Sequence, residues 1–245
     1  MRITTIKIHF LLEKLAIPIL LIAIFFIVTT FLAYFSQGAD WQRFLGINWR
    51  RVLELLDLRE ENTLATWFSS MVFLATGVAF LLLGWGNSPT LTISRLTRSV
   101  FQLTAIGAVL LSADEVASIH ETTGKWIQRL VSSIWVNAPT DNRGYFWVIL
   151  FAPVLLGGLL IVAYALQKVI ANMSSNDWQQ KASYLALLIA LLCLPTVFLF
   201  ELLEWRLDSL NQGVSILTCG EEAFEIIGMY SLFLCAMLVA RRYQL

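Results

Sequence analysis

Charged residues and histidines are scarce in this sequence, and cysteines are few. Asp, Glu, Lys and Arg make up only 14% of the 245 residues, whereas soluble domains carry about 25%. Two histidines exclude haem proteins and the membrane iron enzymes that need many. Three cysteines, an odd number, argue against a disulfide framework and exclude a cysteine-rich zinc site. Basic and acidic residues balance at 17 each, which disfavours a nucleic-acid partner.

Long apolar runs dominate what remains, since 58% of the residues are hydrophobic. The runs are about twenty residues long, enough to cross a hydrocarbon layer of about 30 Å as helices. Backbone groups in lipid must be hydrogen-bonded within the segment, which favours helices. We therefore predict an all-α polytopic membrane helix bundle, forming a single integral membrane domain over residues 1–245. Six spans are predicted: Leu15–Phe35, Leu64–Trp85, Phe101–His120, Tyr145–Leu166, Ala182–Glu204 and Glu221–Ala240.

Two further segments, residues 40–58 and 125–136, have apolar residues at intervals of three and four. This pattern predicts amphipathic helices that lie in the membrane interface. Both segments fall on the same side of the membrane. They are explained either as ordinary interfacial anchors or as a lid over a site between them.

The distribution of basic residues gives a weak preference for orientation. With both termini in the cytoplasm, nine of the seventeen basic residues lie on that side. The other eight include four in the loop after the first span, where acidic residues offset them. We therefore expect an integral protein of the bacterial plasma (inner) membrane with cytoplasmic termini.

Carboxylates interrupt three of the predicted spans. The third and fifth spans end at the membrane face where the sixth begins, so these acids share one face of the membrane. Ionisable groups at such positions are functional by default. The acids are Asp114, Glu115 and Glu121 in the third segment, Glu201, Glu204 and Asp208 in the fifth, and Glu221, Glu222 and Glu225 in the sixth.

Helical spacing groups these acids into stripes. In a continuous helix, Asp114 and Glu121 are seven residues apart and nearly eclipsed, and His120 lies on the flank of Glu121. If the three stripes face inward, they form a carboxylate and histidine site. The predicted metal ligands are Asp114, His120, Glu121, Glu201, Glu204, Glu222 and Glu225.

So many carboxylates cannot all be charged and uncompensated in a small volume, because like charges raise one another's pKa. Protons, bound metal ions or exposure to water would each offset the excess negative charge. One imidazole among several carboxylates suits Ca²⁺, Mn²⁺, Fe²⁺ or Zn²⁺. We expect one or two divalent metal ions as the cofactor.

Some of these acids also have simpler explanations. Thr218-Cys-Gly-Glu221 matches a capping box, which would make Glu221 the cap of the sixth helix. Glu222 would interact favourably with the same helix terminus. Glu115 points away from Asp114 and Glu121 and would pair with another helix, and Asp208 would lie in a solvated loop.

His120-Glu121-Thr-Thr-Gly124 begins like the helical zinc-protease motif, but Gly124 replaces the second histidine, so that mechanism is excluded. The wider pattern, Asp114-Glu115-x4-His120-Glu121 followed by Glu221-Glu222-x2-Glu225, resembles that of uncharacterised bacterial multipass membrane proteins. The resemblance covers the third to sixth spans. It implies no activity.

Three functions are compatible with this site. The leading hypothesis is a metal-dependent membrane enzyme that acts on a lipid or amphiphile. The alternatives are a divalent-cation or proton transporter, or a non-catalytic membrane subunit that a bound ion stabilises. The expected partners are the lipid bilayer, a lipid-like substrate and a second membrane protein, but no nucleic acid.

Overall fold

A computed structural model of the chain describes residues 2–35, 49–59, 63–86, 93–134, 146–173, 178–208 and 215–243. Within these ranges the chain forms helices and no strand, which confirms the predicted all-α fold. The helices are α1 (Arg2–Phe35), α2 (Trp49–Leu55), α3 (Leu64–Trp85), α4 (Arg95–Ala117), α5 (Ile119–Ile134), α6 (Phe146–Ala171), α7 (Trp178–Asp208) and α8 (Ser215–Arg242).

Six of the described helices are long and apolar enough to cross a membrane, as predicted. Their candidate spans are Lys14–Phe35, Leu64–Trp85, Arg95–Ala117, Trp147–Ala171, Trp178–Leu207 and Ile216–Arg242. The second span has the predicted bounds, the first begins one residue earlier, and the bounds of the other four shift by two to six residues. The third span changes most. It begins at Arg95 instead of Phe101 and ends at Ala117 instead of His120.

Side-chain hydroxyls cap the N-termini of two of the spanning helices. Thr63 accepts a hydrogen bond from the Thr66 amide at 3.2 Å before α3, and Ser94 accepts one from the Thr97 amide at 3.1 Å before α4. Each bond satisfies an amide that has no partner in the first turn. The capping box predicted at Thr218–Glu221 is wrong. Since α8 begins at Ser215, these four residues lie inside the helix.

Helix α8 is the most buried span, and it packs against α7, α3 and α1. A glycine allows its close approach to α7. A Cβ atom added at Gly228 would lie 2.6 Å from Leu194 Cδ2 and 3.3 Å from Cys193 Cβ. Small residues at such crossings let helix backbones pack closely in membranes.

Gly228→Ala is therefore expected to destabilise the bundle by about 1–3 kcal/mol, the usual cost of overpacking. Gly107→Ala is the matched control, because a Cβ atom added there would meet nothing within 4 Å. Thermal unfolding in detergent measures both effects. Equal melting temperatures for the two variants would contradict the described packing of α7 on α8.

The two predicted interfacial helices are found in part. Residues 40–48 lie outside the described residues, and the first amphipathic segment is helical at Trp49–Leu55. The turn that follows α2 is fixed to α1, since the Leu58 amide donates to Thr30 Oγ1 at 2.9 Å. The second segment is confirmed as a helix, but α5 begins at Ile119 instead of residue 125.

A sharp break separates α4 from α5. Ser118 has φ 47° and ψ 43°, the left-handed conformation that ends α4, and it costs about 1–2 kcal/mol in a residue other than glycine. The Ser118 amide donates to the Asp114 carbonyl at 2.7 Å, and the Thr122 amide donates to the Ser118 carbonyl at 3.2 Å. The chain thus changes direction just after the first predicted acids.

Candidate functional site

The predicted acids lie at one end of the bundle. Helices α4 and α7 end there, α3 and α8 begin there, and α5 starts directly after the break at Ser118. Because the chain reverses direction between successive spans, this end is opposite the one where α1 begins and α8 ends. The site is therefore built from several helix termini.

Asp114 and His120 form a closely paired unit across the break. The His120 amide donates to Asp114 Oδ1 at 2.7 Å, and His120 Nδ1 lies 2.8 Å from Asp114 Oδ2. Asp114 thus satisfies an amide in the first turn of α5 while it orients the imidazole. The predicted alignment of Asp114 with Glu121 on one helix face is wrong, because the helix is not continuous between them.

The imidazole of His120 packs edge to face against Trp147 of α6, with ring centroids 4.9 Å apart. Trp147 in turn packs against Phe198 of α7, with ring centroids 6.1 Å apart. Burial lowers the pKa of His120, but the hydrogen bond and charge of Asp114, with the charges of Glu201 and Glu225, outweigh it. Together they raise the pKa to about 9. His120 is therefore cationic at neutral pH in the cation-free protein.

Helix α7 contributes two buried carboxylates, Glu201 and Glu204, which are 8% and 3% exposed. They are one turn apart and share a helix face. Glu201 acts electrostatically on His120, and its carboxyl group is within hydrogen-bonding reach of Glu221. Glu201 of α7 thus interacts both with the imidazole on α5 and with an acid on α8.

Helix α8 contributes Glu221, Glu222 and Glu225. The charged groups that act most strongly on Glu222 are Glu115, Glu225, Glu201 and Glu204, all of them carboxylates. Those that act most strongly on Glu225 are Glu115, His120, Glu201 and Asp114. The acids of three helices therefore lie within electrostatic range of one another.

Two residues at the centre of this arrangement were not predicted as ligands. Glu115 has the strongest electrostatic effect on both Glu222 and Glu225. Ser69 of α3 is fully buried beside Glu115. Neither position is evident from spacing alone, since the direction of each side chain depends on how α3, α4 and α8 pack.

The side chains of Glu121 and Asp208 lie outside the described residues, although both positions are helical. Among the residues that the structure describes, no three His, Cys, Asp or Glu side chains are spaced as a ready-made metal site. The six predicted ligands with described side chains interact electrostatically as one cluster: Asp114, His120, Glu201, Glu204, Glu222 and Glu225.

The chemistry of this cluster follows from its charge. Burial of carboxylates costs several kcal/mol per uncompensated charge, and neighbouring carboxylates oppose one another's ionisation. Protons, a bound cation, basic side chains or exposure to water each lower this cost. Asp114 and His120 compensate each other's charge, with 2.8 Å between Oδ2 and Nδ1. The glutamates are therefore the groups that would take up a proton or a cation.

The sequence matches the profile of one protein family. It belongs to the family described as "Domain of unknown function (DUF8692)", whose profile matches residues 19–240. The match reaches from the first span into the sixth and agrees with the predicted likeness to an uncharacterised family. No curated protein and no solved structure matches the chain.

Proposed function

We propose that the glutamate cluster and His120 bind a divalent cation. The observation that supports this most strongly is the Asp114–His120 pair, with 2.8 Å between Oδ2 and Nδ1. Histidines that bind metals commonly hydrogen-bond a carboxylate through the other ring nitrogen, which fixes the orientation of the ring. In this arrangement Asp114 is a positioning residue, and Nε2 of His120 is the ligand.

The remaining ligands would come from the carboxylates that act on His120. Glu201 and Glu225 both do so, and Glu204, Glu222 and Glu121 complete the candidate set. A site with one imidazole and several carboxylates suits Mn²⁺, Fe²⁺ or Zn²⁺, and a site made mainly of carboxylates suits Ca²⁺. A cation would relieve the repulsion between these glutamates, and binding would release the proton from Nε2.

We further propose that the protein is a metal-dependent enzyme that acts on a lipid or amphiphile. Helix α5, which carries His120, exposes Ile119, Trp126 and Leu130, as expected for a helix that lies in the interface. A substrate that enters from the lipid would meet this helix first. The cation would supply Lewis acidity, and a glutamate that is not bound to it would accept a proton.

The enzymatic part is tested by incubating detergent-purified protein with a mixed lipid extract. The protein is stripped with chelator and then supplied separately with Mn²⁺, Fe²⁺, Zn²⁺ or Ca²⁺. Mass spectrometry is expected to show a lipid product that forms with one of these ions in the wild type. It should not form in Glu201→Gln/Glu225→Gln. Equal lipid profiles in all samples would contradict an enzymatic role.

A proton-holding cluster, as in a proton transporter or pH sensor, is the second candidate. It is supported by the electrostatic interactions among the glutamates of α4, α7 and α8 and by the hydrogen-bonding reach between Glu201 and Glu221. In reconstituted vesicles it predicts a proton flux that Glu225→Gln abolishes and that divalent cations do not require. A non-catalytic subunit held together by an ion would show neither flux nor turnover.

For the cellular context we propose a bacterial inner membrane with cytoplasmic chain ends, and a lipid-like substrate or a second membrane protein as partner. The slight excess of basic residues on the side of the chain ends supports this orientation.

A further inference from the structure

An apolar groove of about 310 Å³ lies between α1 and α7, which both pack against α8. Its floor is buried and includes Ile226 and Tyr230 of α8, whereas its rim is exposed at Ile24 of α1 and Leu185 of α7. All the residues that line the groove belong to spanning segments of these three helices. The groove therefore opens toward the hydrocarbon of the bilayer.

The size of the groove fits an acyl chain and is too small for a helix. Its lining extends over residues 20–27 of α1, 182–189 of α7 and 226–234 of α8, which is about 10–12 Å along the helix axes. An α-helix with its side chains is about 10 Å wide or more, so a helix of that length occupies about 900 Å³. The groove holds about a third of this volume.

A cationic and an aromatic side chain lie beyond the end of the groove that is nearer the chain ends. Trp178 is four residues before Ala182, and Arg241 is seven residues after Leu234, so each continues the face of its helix that lines the groove. The guanidinium of Arg241 lies over the ring of Trp178, 5.9 Å from its centroid. Since α7 begins at Trp178 and α8 ends at Arg242, this pair lies at the boundary of the membrane.

The same side of the protein has a large excess of positive charge. By the order of the spans, nine basic residues and two acidic ones, Glu13 and Asp177, fall on this side, and eight basic and fifteen acidic residues fall on the other. Tryptophan at the membrane boundary lies at the level of the lipid headgroups, and arginine binds phosphate through paired N–H donors. An anionic headgroup therefore complements this end of the groove.

We infer that the groove binds an anionic phospholipid, with one acyl chain along α8 and the phosphate beside Arg241. The acyl chain provides affinity for any phospholipid, and the basic end provides the preference for a negatively charged one. The headgroup end is opposite the end of the bundle that carries the acid cluster. The inference is therefore independent of the proposed function.

The test titrates delipidated, detergent-purified protein with phosphatidylglycerol or with phosphatidylcholine of the same acyl chains, and native mass spectrometry counts the bound lipids. The wild type is expected to bind one phosphatidylglycerol more tightly than phosphatidylcholine. Arg241→Gln should raise the Kd for phosphatidylglycerol about fivefold or more and so remove this preference. Arg242→Gln is the matched control, because it removes the same charge from a neighbouring position on a different helix face. It should leave the Kd unchanged.

Two further variants test the groove itself. Ala182→Phe and Leu185→Trp place large side chains in it and are expected to weaken the binding of both lipids. Ala171→Phe, at an exposed position of α6 outside the groove, should not. The melting temperature of each variant shows whether it folds.

Equal affinity of the wild type for the two lipids, or equal losses in Arg241→Gln and Arg242→Gln, would overturn the inference. Undiminished lipid binding in both blocking variants would also overturn it. A dimer that forms without lipid and that the blocking variants abolish would assign the groove to a second copy of the chain instead.

Discussion

Glu225→Gln is expected to weaken the binding of divalent cations by about 100-fold or more. Loss of a residue that only orients a ligand already costs 10–100-fold in metal affinity, and Glu225 lies among Glu115, Glu201 and His120. The same change removes one of several carboxylates that repel one another. We therefore expect the cation-free variant to be at least as stable as the wild type, which thermal unfolding in detergent measures.

Glu54→Gln is the matched control, because Glu54 is exposed on α2. It should leave the cation affinity unchanged, because Glu54 lies outside the cluster. The two readouts separate a ligand from a structural residue. A Glu225→Gln protein that loses stability but keeps its cation affinity would show that Glu225 supports only the packing of α8.

Asp114→Asn is expected to lower the pKa of His120 from about 9 toward the unperturbed value of about 6.5, or below it. Burial, which lowers this pKa, would no longer be opposed by the carboxylate 2.8 Å from Nδ1. The measurement is a pH titration of the ring by nitrogen NMR in cation-free protein. A His9→Gln background leaves His120 as the sole histidine.

The sign of the accompanying stability change follows from the same pair. The folded-state pKa of His120 is higher than its unfolded value, so protonation stabilises the folded protein. This contribution is fully present below pH 6.5 and is lost as the pH rises through about 9. Asp114→Asn should flatten the pH dependence in that window. A wild-type ring that titrates near 6.5 would contradict the described pairing.

Hydropathy predicted the six spans because the cost of unsatisfied backbone groups in lipid leaves few alternatives to long apolar helices. The break at Ser118 could not be predicted in this way. No glycine or proline lies there, and Ser118 adopts a left-handed conformation whose hydrogen bonds to α4 and α5 are made only in the folded chain. The start of α8 was obscured because Thr218–Glu221 imitates a cap inside a helix.

The candidate site was predictable in position but not in detail. The order of the spans alone places the acids of α4, α7 and α8 at one end. Spacing predicted that Glu115 is directed to another helix, which agrees with the structure, but it aligned Asp114 with Glu121 because a continuous helix was assumed. In the structure Asp114 is paired with His120, and Glu115 interacts with the acids of α8. Ser69 has no sequence signal, since buried serines are common where membrane helices pack.

The metal content of the detergent-purified protein tests the central claim most directly. Elemental analysis is carried out on wild type and on Glu201→Gln/Glu225→Gln, each after incubation with Mn²⁺, Fe²⁺, Zn²⁺ or Ca²⁺ and removal of the free ion. We predict that the wild type retains one or two equivalents of one of these ions and that the double variant retains none. If neither protein retains an ion under any of these conditions, the cluster holds protons instead, and the cation-binding account is wrong.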